Sequence, residues 1–316
     1  MYQYSANASN FSEGKGECVI EMESGRILYE HRGDVRLPMA STTKVLTAIT
    51  VLELCEDLEH EISIPASAVG VEGSSVYLKA GEIYTVKDLL YGLMLRSGND
   101  CAVALALHCS GSISEFTTRM NEIAQKAGAL YSHFDNPHGL PSKNHYTTAR
   151  DLCYITRYAL QNPTFAQIVA TKFYAPRQWK NKNKLLKEFD GAMGVKTGYT
   201  KEAGRCLVSA AKRKNMTLIC VVLNCASMYE RSAELLEDAF SIYRYLPLIT
   251  KDMRLPLYNQ MGQVREDYYY PLSDGETEQL EIRTNEIKSL ESEKIIGQFG
   301  IYLSKRLLFS GNLYKL

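Results

Sequence analysis

The sequence predicts an α+β fold with an antiparallel sheet, followed by a small C-terminal all-β domain. Strand-like runs at both ends of the first 250 residues enclose a helical middle, and such terminal strands can pair in one antiparallel sheet. From about Lys251 the helical periodicity fades into short alternating runs punctuated by Gly and Pro. We therefore predict two domains, residues 1–250 and residues 251–316.

Apolar spacing and turn residues predict the elements of the first domain. Residues 17–22 and 26–30 are typical of a hairpin around Ser24-Gly25. Strands are also predicted at about 204–212 and 216–224. Helices are predicted at about 41–56, 85–109 with a break at Ser97-Gly98-Asn99, 114–128, 148–161 and 228–246.

Three alternating runs predict strands in the C-terminal domain, at 267–272, 279–284 and 296–310. The run Tyr268-Tyr269-Tyr270 favours a half-buried strand over a stacking platform. This domain shows no internal repeat and no low-complexity tract.

The 316 residues carry 36 basic and 36 acidic side chains, so the formal net charge is zero. Residues 251–316 are also balanced, with 9 basic and 10 acidic side chains. A nucleic-acid partner normally demands a basic excess, and capture by anionic lipid does too. The charge balance therefore argues against both. No stretch approaches the roughly 20 apolar residues that a membrane helix needs.

The cysteines and histidines predict no metal site and no cofactor. None of the eight cysteines forms a CxxC pair, which disfavours a zinc ribbon or a thioredoxin-type site. Most lie in apolar surroundings, so buried free thiols are favoured over a disulfide framework. His133, His138 and His145 share a loop region, but it lacks HExxH and an acidic triad at ligand spacing. We expect structural roles for these histidines.

The segment Ser41-Thr42-Thr43-Lys44 is the first candidate for chemistry. Positions three apart share a helix face, so a hydroxyl and an amine would lie together at a helix start. A lysine can act as the base for serine if burial or a second cation lowers its pKa. The alternative is a helix-capping serine with a solvated lysine. Ser12-Glu13-Gly14-Lys15 has the same spacing, so the motif alone is weak.

Order and spacing add specificity. A Ser-x-Asn segment, Ser97-Gly98-Asn99, follows Ser41 by 56 residues, and Lys196-Thr197-Gly198 follows Ser97 by 99 residues. The alternatives are a helix-breaking turn for the second motif and a plain turn before the strand at 204–212 for the third. Gly198 would let the strand edge approach a ligand backbone without an intervening side chain.

The chain resembles the serine D-alanyl-D-alanine carboxypeptidases, the low-molecular-mass penicillin-binding proteins, over about residues 17–250. The resemblance implies a serine β-lactamase/penicillin-binding-protein-like transpeptidase fold with a helical subdomain, and the β-rich tail fits the family's usual second domain. The amino-acid sequences of several segments are similar to those of sporulation-type members. Five segments carry the resemblance: Pro38-Met39-Ala40-Ser41-Thr42-Thr43-Lys44, Gly92-Leu93-Met94-Leu95-Arg96-Ser97-Gly98-Asn99-Asp100, Asn136-Pro137-His138-Gly139-Leu140, Asn181-Lys182-Asn183-Lys184-Leu185-Leu186 and Gly194-Val195-Lys196-Thr197-Gly198-Tyr199-Thr200.

The resemblance implies catalytic roles for four side chains. Ser41 would attack the carbonyl of the penultimate D-Ala and form an acyl-enzyme, with Lys44 as its general base. Ser97 would relay a proton toward the nitrogen of the leaving D-Ala. Asn99 would hold the substrate amide and Lys44.

The resemblance also implies a substrate-binding edge. Lys196 and Thr197 would face the terminal carboxylate, beside Gly198, and the backbone N–H groups of Ser41 and Tyr199 would form the oxyanion hole. Lys182 lies where relatives often carry a basic residue that pairs with the carboxylate. Cys101 stands where small aliphatic residues are usual, and we expect it to be a packing residue.

The implied function is a D,D-carboxypeptidase that trims peptidoglycan pentapeptide stems ending in D-Ala-D-Ala and is acylated by β-lactams. A serine β-lactamase on the same fold would need a deacylation base, usually a Glu in an E-x-x-L-N pattern. No such pattern lies between Ser97 and Lys196. A catalytically dead cell-wall-binding module is a third reading, disfavoured by the intact Ser41, Lys44 and Ser97.

The substrate implies an extracytoplasmic location, secreted or at the outer face of the cytoplasmic membrane in the cell wall. We therefore expect that a signal peptide has been removed from this sequence. Attachment to the membrane surface would need a segment that the sequence does not contain. Roles in cell shape and sporulation are expectations of the same kind.

Overall fold

The structure is a computed structural model that describes residues 13–290 and 294–315. The chain divides into two compact units, Met1–Ala239 and Phe240–Leu316. Residues 243–249 form a strand that pairs with residues 268–273, which ties them to the second unit. The division therefore falls before the boundary predicted after residue 250. Assignment of residues 1–250 as a catalytic domain stays a prediction.

A five-stranded antiparallel sheet is the centre of the first unit, with strand order β2-β1-β9-β8-β7. β3 pairs with β4, and β5 with β6, in two small additional sheets. The strands are β1 Gly16–Glu21, β2 Ile27–His31, β3 Glu61–Ser63, β4 Ile83–Thr85, β5 Phe173–Tyr174, β6 Trp179–Lys180, β7 Ala192–Thr200, β8 Gly204–Arg213 and β9 Met216–Leu223.

Strand β9 is the middle strand, and every one of its residues is buried. A strand covered on both faces needs apolar side chains at every position, and the run Leu218–Leu223 supplies them. The helix at Ala149–Leu160 packs against β9 and β1. Within the described part of the chain, β7 has one sheet neighbour, and its other edge faces the motif residues that lie beside it.

Helices surround this sheet. The helices are α1 Lys44–Leu54, α2 Val86–Tyr91, α3 Asn99–Ser110, α4 Ile113–Lys126, α5 Ala149–Leu160, α6 Pro163–Ala170, α7 Leu185–Glu188 and α8 Met228–Ile242. A 3₁₀ turn at Ala40–Thr43 leads into α1, and a π-helical segment at Gly92–Arg96 joins α2 to the break before α3. Two further 3₁₀ turns in this unit span Ala66–Ala68 and Ala175–Arg177.

Local side chains explain where several helices begin. Thr85, Ser112 and Thr148 each accept a hydrogen bond from the backbone N–H three residues later, which satisfies an otherwise unpaired donor. Asn162 caps α6, and Pro163 occupies its first turn, where the missing N–H costs nothing. The sequence predicted a helix at about 148–161 and none directly after it, so α6 was missed.

The predicted α+β class is confirmed, although several elements differ from their prediction. The helix predicted at 228–246 ends at Ile242, because residues 243–249 pair with residues 268–273 instead. Lys196-Thr197-Gly198 precedes β8 as predicted, but it lies within a strand of its own, β7, which was not predicted. In the part of the chain that the structure describes, no helix combines the length and apolar composition that a membrane crossing requires.

The second unit is mostly sheet and contains a core of its own. Its core side chains are Ile249, Leu255, Val264, Phe299, Ile301 and Leu313. Its strands are β10 Tyr243–Ile249, β11 Arg254–Pro256, β12 Met261–Gln263, β13 Tyr268–Ser273, β14 Leu280–Leu290, β15 Ile295–Leu303 and β16 Arg306–Tyr314, with a 3₁₀ turn at Asp274–Gln279. β10 pairs with β13, and the others form a sheet of order β11-β12-β16-β15-β14. The predicted strand at Tyr268-Tyr269-Tyr270 is therefore present.

All eight cysteines carry free thiols, six of them buried. This agrees with the prediction of packed thiols for those six. Cys55 and Cys109 are only half-buried.

Candidate active site

The serine of the first motif lies at the turn that starts α1. Ala40 has a φ of 50°, in the left-handed region that non-glycine residues seldom adopt. Thr42 Oγ1 donates to the Met39 carbonyl and Thr43 Oγ1 donates to the Ala40 carbonyl, which fixes this turn. Ser41 is partly exposed, whereas Lys44 one turn later is completely buried.

The Lys44 amine is held at a single point by three oxygen acceptors. Its Nζ lies 2.9 Å from Ser41 Oγ, 2.6 Å from Asn99 Oδ1 and 2.6 Å from the His138 carbonyl oxygen. The first of these contacts is the geometry that proton transfer from a serine hydroxyl requires. The other two orient the amine toward it.

Burial lowers the pKa of Lys44 well below its ordinary value, and the neighbouring positive charge of Lys196 lowers it further. Desolvation and like charge both disfavour the ammonium form. Burial also lowers the pKa of Lys196 to about 7, with a contribution from the charge of Lys182. The site thus contains a neutralisable amine beside the serine hydroxyl and a second cation close by.

The second motif occupies the break between the π-helical segment and α3. Ser97 has a φ of 67° and is 5% exposed, and Asn99 begins α3. Asn99 Nδ2 donates to the Glu72 carbonyl at 2.5 Å while its Oδ1 accepts from Lys44. The amide is therefore oriented from both ends, with its oxygen facing Lys44.

The third motif follows the open edge of β7. Lys196 is 2% exposed, and its Nζ donates to the Thr197 carbonyl at 2.8 Å. A Cβ on Gly198 would lie 2.9 Å from the Met39 carbonyl oxygen and 3.2 Å from the Ser41 backbone nitrogen. Glycine is needed here because two backbones meet without space for a side chain. Tyr199, the next residue, is 65% exposed.

Lys182 stands beside the π-helical segment, where its backbone N–H donates to the Leu95 carbonyl at 3.2 Å. Its side chain is exposed. Partial desolvation lowers the pKa of Lys182, and the charge of Arg96 lowers it further. Its charge in turn acts on Lys44 and Lys196, so it belongs to the same cationic group.

Sequence reasoning assigned no role to the loop at 136–140, which supplies an essential part of the site. The His138 carbonyl accepts from Lys44, and the Pro137 carbonyl accepts from Thr47 at 2.6 Å. A Cβ on Gly139, whose φ is 92°, would lie 1.9 Å from the Ala40 carbonyl oxygen. The only signal for this loop in the sequence was the family-like segment Asn136-Pro137-His138-Gly139-Leu140.

The three histidines of this region make protein contacts. His145 Nε2 lies 2.8 Å from Thr43 Oγ1, and His133 Nδ1 lies 2.9 Å from the Asn144 carbonyl oxygen. Burial lowers the pKa of His138 to about 3 and that of His145 to about 4, with Lys44 adding repulsion to both. Both rings are therefore neutral near pH 7. Cys101 is fully buried next to the second motif.

The fold and this site define a serine-dependent acyl-transfer enzyme: a hydroxyl paired with an amine of lowered pKa, at a helix start that faces an open strand edge. Comparison with known proteins gives the family. The family model described as D-alanyl-D-alanine carboxypeptidase matches residues 5–227, and the chain belongs to this family of serine hydrolases.

Individual relatives agree. The chain is 35% identical over 254 residues to D-alanyl-D-alanine carboxypeptidase DacF of Bacillus subtilis, covering 76% of this chain and 65% of that protein. It is 37% identical over 253 residues to the D-alanyl-D-alanine carboxypeptidase of Streptomyces sp. strain K15, covering 73% and 86%. Penicillin binding protein 5 of Haemophilus influenzae has a similar structure, with a TM-score of 0.81, 26% identity and 98% of both chains covered.

These similarities confirm the predicted family and the penicillin-binding-protein-like fold. They do not favour the β-lactamase alternative, since the relatives carry carboxypeptidase names.

Proposed function

We propose that the protein is a serine D,D-carboxypeptidase that removes the terminal D-Ala from peptidoglycan pentapeptide stems through an acyl-enzyme on Ser41. The observation that carries this proposal is the 2.9 Å contact between Lys44 Nζ and Ser41 Oγ, made by a fully buried lysine. Burial and the charge of Lys196 favour the neutral amine, which is the form that can accept the serine proton.

The proposed reaction has two halves. Ser41 Oγ attacks the carbonyl carbon of the penultimate D-Ala as Lys44 takes the hydroxyl proton, and the backbone N–H groups of Ser41 and Tyr199 stabilise the oxyanion. The amide bond then breaks, and Ser97 relays a proton to the leaving D-Ala nitrogen. Water hydrolyses the ester and restores Ser41. Asn99 keeps Lys44 and the substrate amide in place throughout.

Charge explains the proposed recognition of the substrate's end. Its free carboxylate needs a cation, and Lys196 lies beside Thr197 along β7, with Lys182 nearby. We propose that Lys196, Thr197 and Lys182 hold this carboxylate. β-Lactams, which carry a comparable carboxylate next to a reactive amide, would acylate Ser41 at the same place.

The test mixes the protein with a labelled penicillin and, separately, with diacetyl-Lys-D-Ala-D-Ala. A stable adduct on Ser41 and release of one D-Ala are expected. Ser41→Ala should abolish both, while Ser12→Ala, which alters another Ser-x-x-Lys segment, should leave both intact. Rapid penicillin turnover without an adduct would indicate a β-lactamase. If the protein neither reacts with penicillin nor releases D-Ala, both enzymes are ruled out.

We also propose an extracytoplasmic location, because peptidoglycan lies outside the cytoplasmic membrane. Membrane-surface attachment, and roles in cell shape or sporulation, stay predictions from the resemblance. Cell fractionation followed by labelled-penicillin detection tests the location, and signal confined to the cytoplasm would contradict it.

A further inference from the structure

Two cysteines from different helices meet at the ends remote from the catalytic residues. Cys55 directly follows α1, and its N–H donates to the Val51 carbonyl; Cys109 is the penultimate residue of α3. Their sulfur atoms lie 3.1 Å apart. A helix rises about 1.5 Å per residue, so each lies roughly 15 Å along its helix from Lys44 or Asn99.

The two sulfur atoms need to move only slightly closer together to form a disulfide bond. A disulfide needs about 2.0 Å between sulfurs, and the thiols already point at each other. The two positions are 54 residues apart in the chain, so a bond would close a long loop that contains the second catalytic motif. Long loops give the largest restriction of the unfolded chain.

This thiol pair is open to reagents, unlike the other thiols. A surface cavity of about 480 Å³ is lined by Cys109, by Leu54 and Ser110, and by side chains of α4 that include Glu115 and Arg119. Both cysteines are half-buried, whereas the remaining six are buried. Cys55 and Cys109 are therefore both close to each other and accessible to reagents from solvent.

We propose that Cys55 and Cys109 form a reversible disulfide that staples the C-terminal ends of α1 and α3. The oxidant is a small or protein-borne disulfide. The Cys55 thiolate attacks one sulfur of that disulfide, which breaks its S–S bond and releases one thiolate. Cys109 then loses its proton and attacks the Cys55 sulfur, releasing the second half of the oxidant. Two electrons and two protons leave the protein, and the oxidant becomes two thiols.

The directions of the two pKa shifts favour Cys55 as the first nucleophile. The Cys109 thiol lowers the pKa of Cys55, and the same contact together with burial raises the pKa of Cys109. The thiolate is the attacking species, so Cys55 acts first and Cys109 resolves the mixed disulfide.

The test treats the full chain with oxidised glutathione or with dithiothreitol, blocks remaining thiols, and maps disulfide-linked peptides by mass spectrometry. One linked pair, Cys55–Cys109, is expected. The melting temperature of the oxidised protein should exceed that of the reduced protein by roughly 5–10 °C, from the restriction of the unfolded chain. Labelled-penicillin acylation should agree within about twofold between the two forms, because the bond lies at the far helix ends.

The matched variants separate this pair from the others. The double variant Cys55→Ser/Cys109→Ser should lose the temperature difference, and Cys225→Ser, which alters a buried thiol, should retain it. No linked pair, a different partner, a persistent glutathione adduct on Cys55, or equal melting temperatures would each overturn the proposal. A several-fold change in acylation would overturn its role as a remote staple.

Discussion

Lys44 is fully buried from bulk water and lies among oxygen acceptors and the charges of other lysines. Three acceptors hold its Nζ, and the charges of Lys196 and Lys182 oppose its protonation. Acceptors alone would favour an ammonium ion, but full burial and two like charges outweigh them. The balance turns an ordinarily charged side chain into a base.

The pH profile of acylation should report the two buried lysines separately. kcat/KM for a labelled penicillin should rise as Lys44 loses its proton and fall as Lys196 loses its charge, with the fall centred near pH 7. Below that pH, Lys196 is cationic and attracts the carboxylate; above it, the attraction is lost. The measurement is the acylation rate at low penicillin concentration across a pH series.

Lys182→Ala provides the control for this profile. Because the charge of Lys182 lowers the pKa of Lys196, its removal should shift the falling limb to higher pH while lowering the plateau a few-fold. A falling limb that does not move would mean that another group controls it.

Gly198→Ala should slow acylation by at least about tenfold, since the new methyl group would press on the Met39 carbonyl and the Ser41 nitrogen. Gly275→Ala is the matched control, because a Cβ there meets nothing within 4 Å. The labelled-penicillin rate and the melting temperature should be measured for both. Equal rates in the two variants would contradict the close approach.

At the scale of the elements, a buried ion pair joins the two ends of the first unit's chain. Arg231 on α8 donates to Glu17 on β1 at 2.8 Å, and neither side chain is more than 1% exposed. Tyr29 on β2 adds a hydroxyl to the pair. Three elements are therefore connected through one guanidinium.

Arg231→Ala should lower the free energy of unfolding by about 3–5 kcal/mol, because it leaves the Glu17 carboxylate buried without its cation. Arg213→Ala, which removes a more exposed pair with Glu237, should cost about 1 kcal/mol or less. Denaturant unfolding curves measure both. Similar losses in the two variants would show that burial does not govern the cost.

The sequence predicted those helices and strands that show apolar periodicity or a turn signal. It did not predict strands that form mainly by pairing with a neighbouring strand. Hairpin β1–β2, the broken helix around Ser97 and the all-β tail were all visible in the pattern. β7 was not, because residues 192–200 lack a period-two apolar pattern and form a strand by pairing with β8. Backbone atoms have no sequence signature, so the His138 and Glu72 carbonyls at the site could not be predicted.

At the scale of the whole molecule, the two compact units have separate hydrophobic cores. Among the residues that the structure describes, a buried cluster of the first unit extends from Cys18 to Leu223, and a cluster of the second unit extends from Ile249 to Leu313, with no residue in common. Each set of buried side chains is therefore able to support its own unit.

Limited proteolysis should release a fragment ending close to residue 240, where the two units divide, and this fragment should bind labelled penicillin within about twofold of the intact chain. Gel fluorescence after labelling, with mass spectrometry of the fragment, measures this. The Ser41→Ala protein digested in parallel should give the same fragment without label. Loss of labelling upon cleavage would contradict an independent catalytic domain.

The contact between Gly198 and the turn around Ser41 also limits how the enzyme can be re-engineered. Main-chain atoms fix the separation between β7 at Gly198 and the turn around Ser41, because the two backbones are in contact there. No exchange of side chains can widen this separation. Altered selectivity must then come from the exposed rim, such as Tyr199 and Lys182. Libraries directed at the rim should yield new preferences for substrates. Libraries directed at Gly198 and the turn around Ser41 should yield mainly inactive protein.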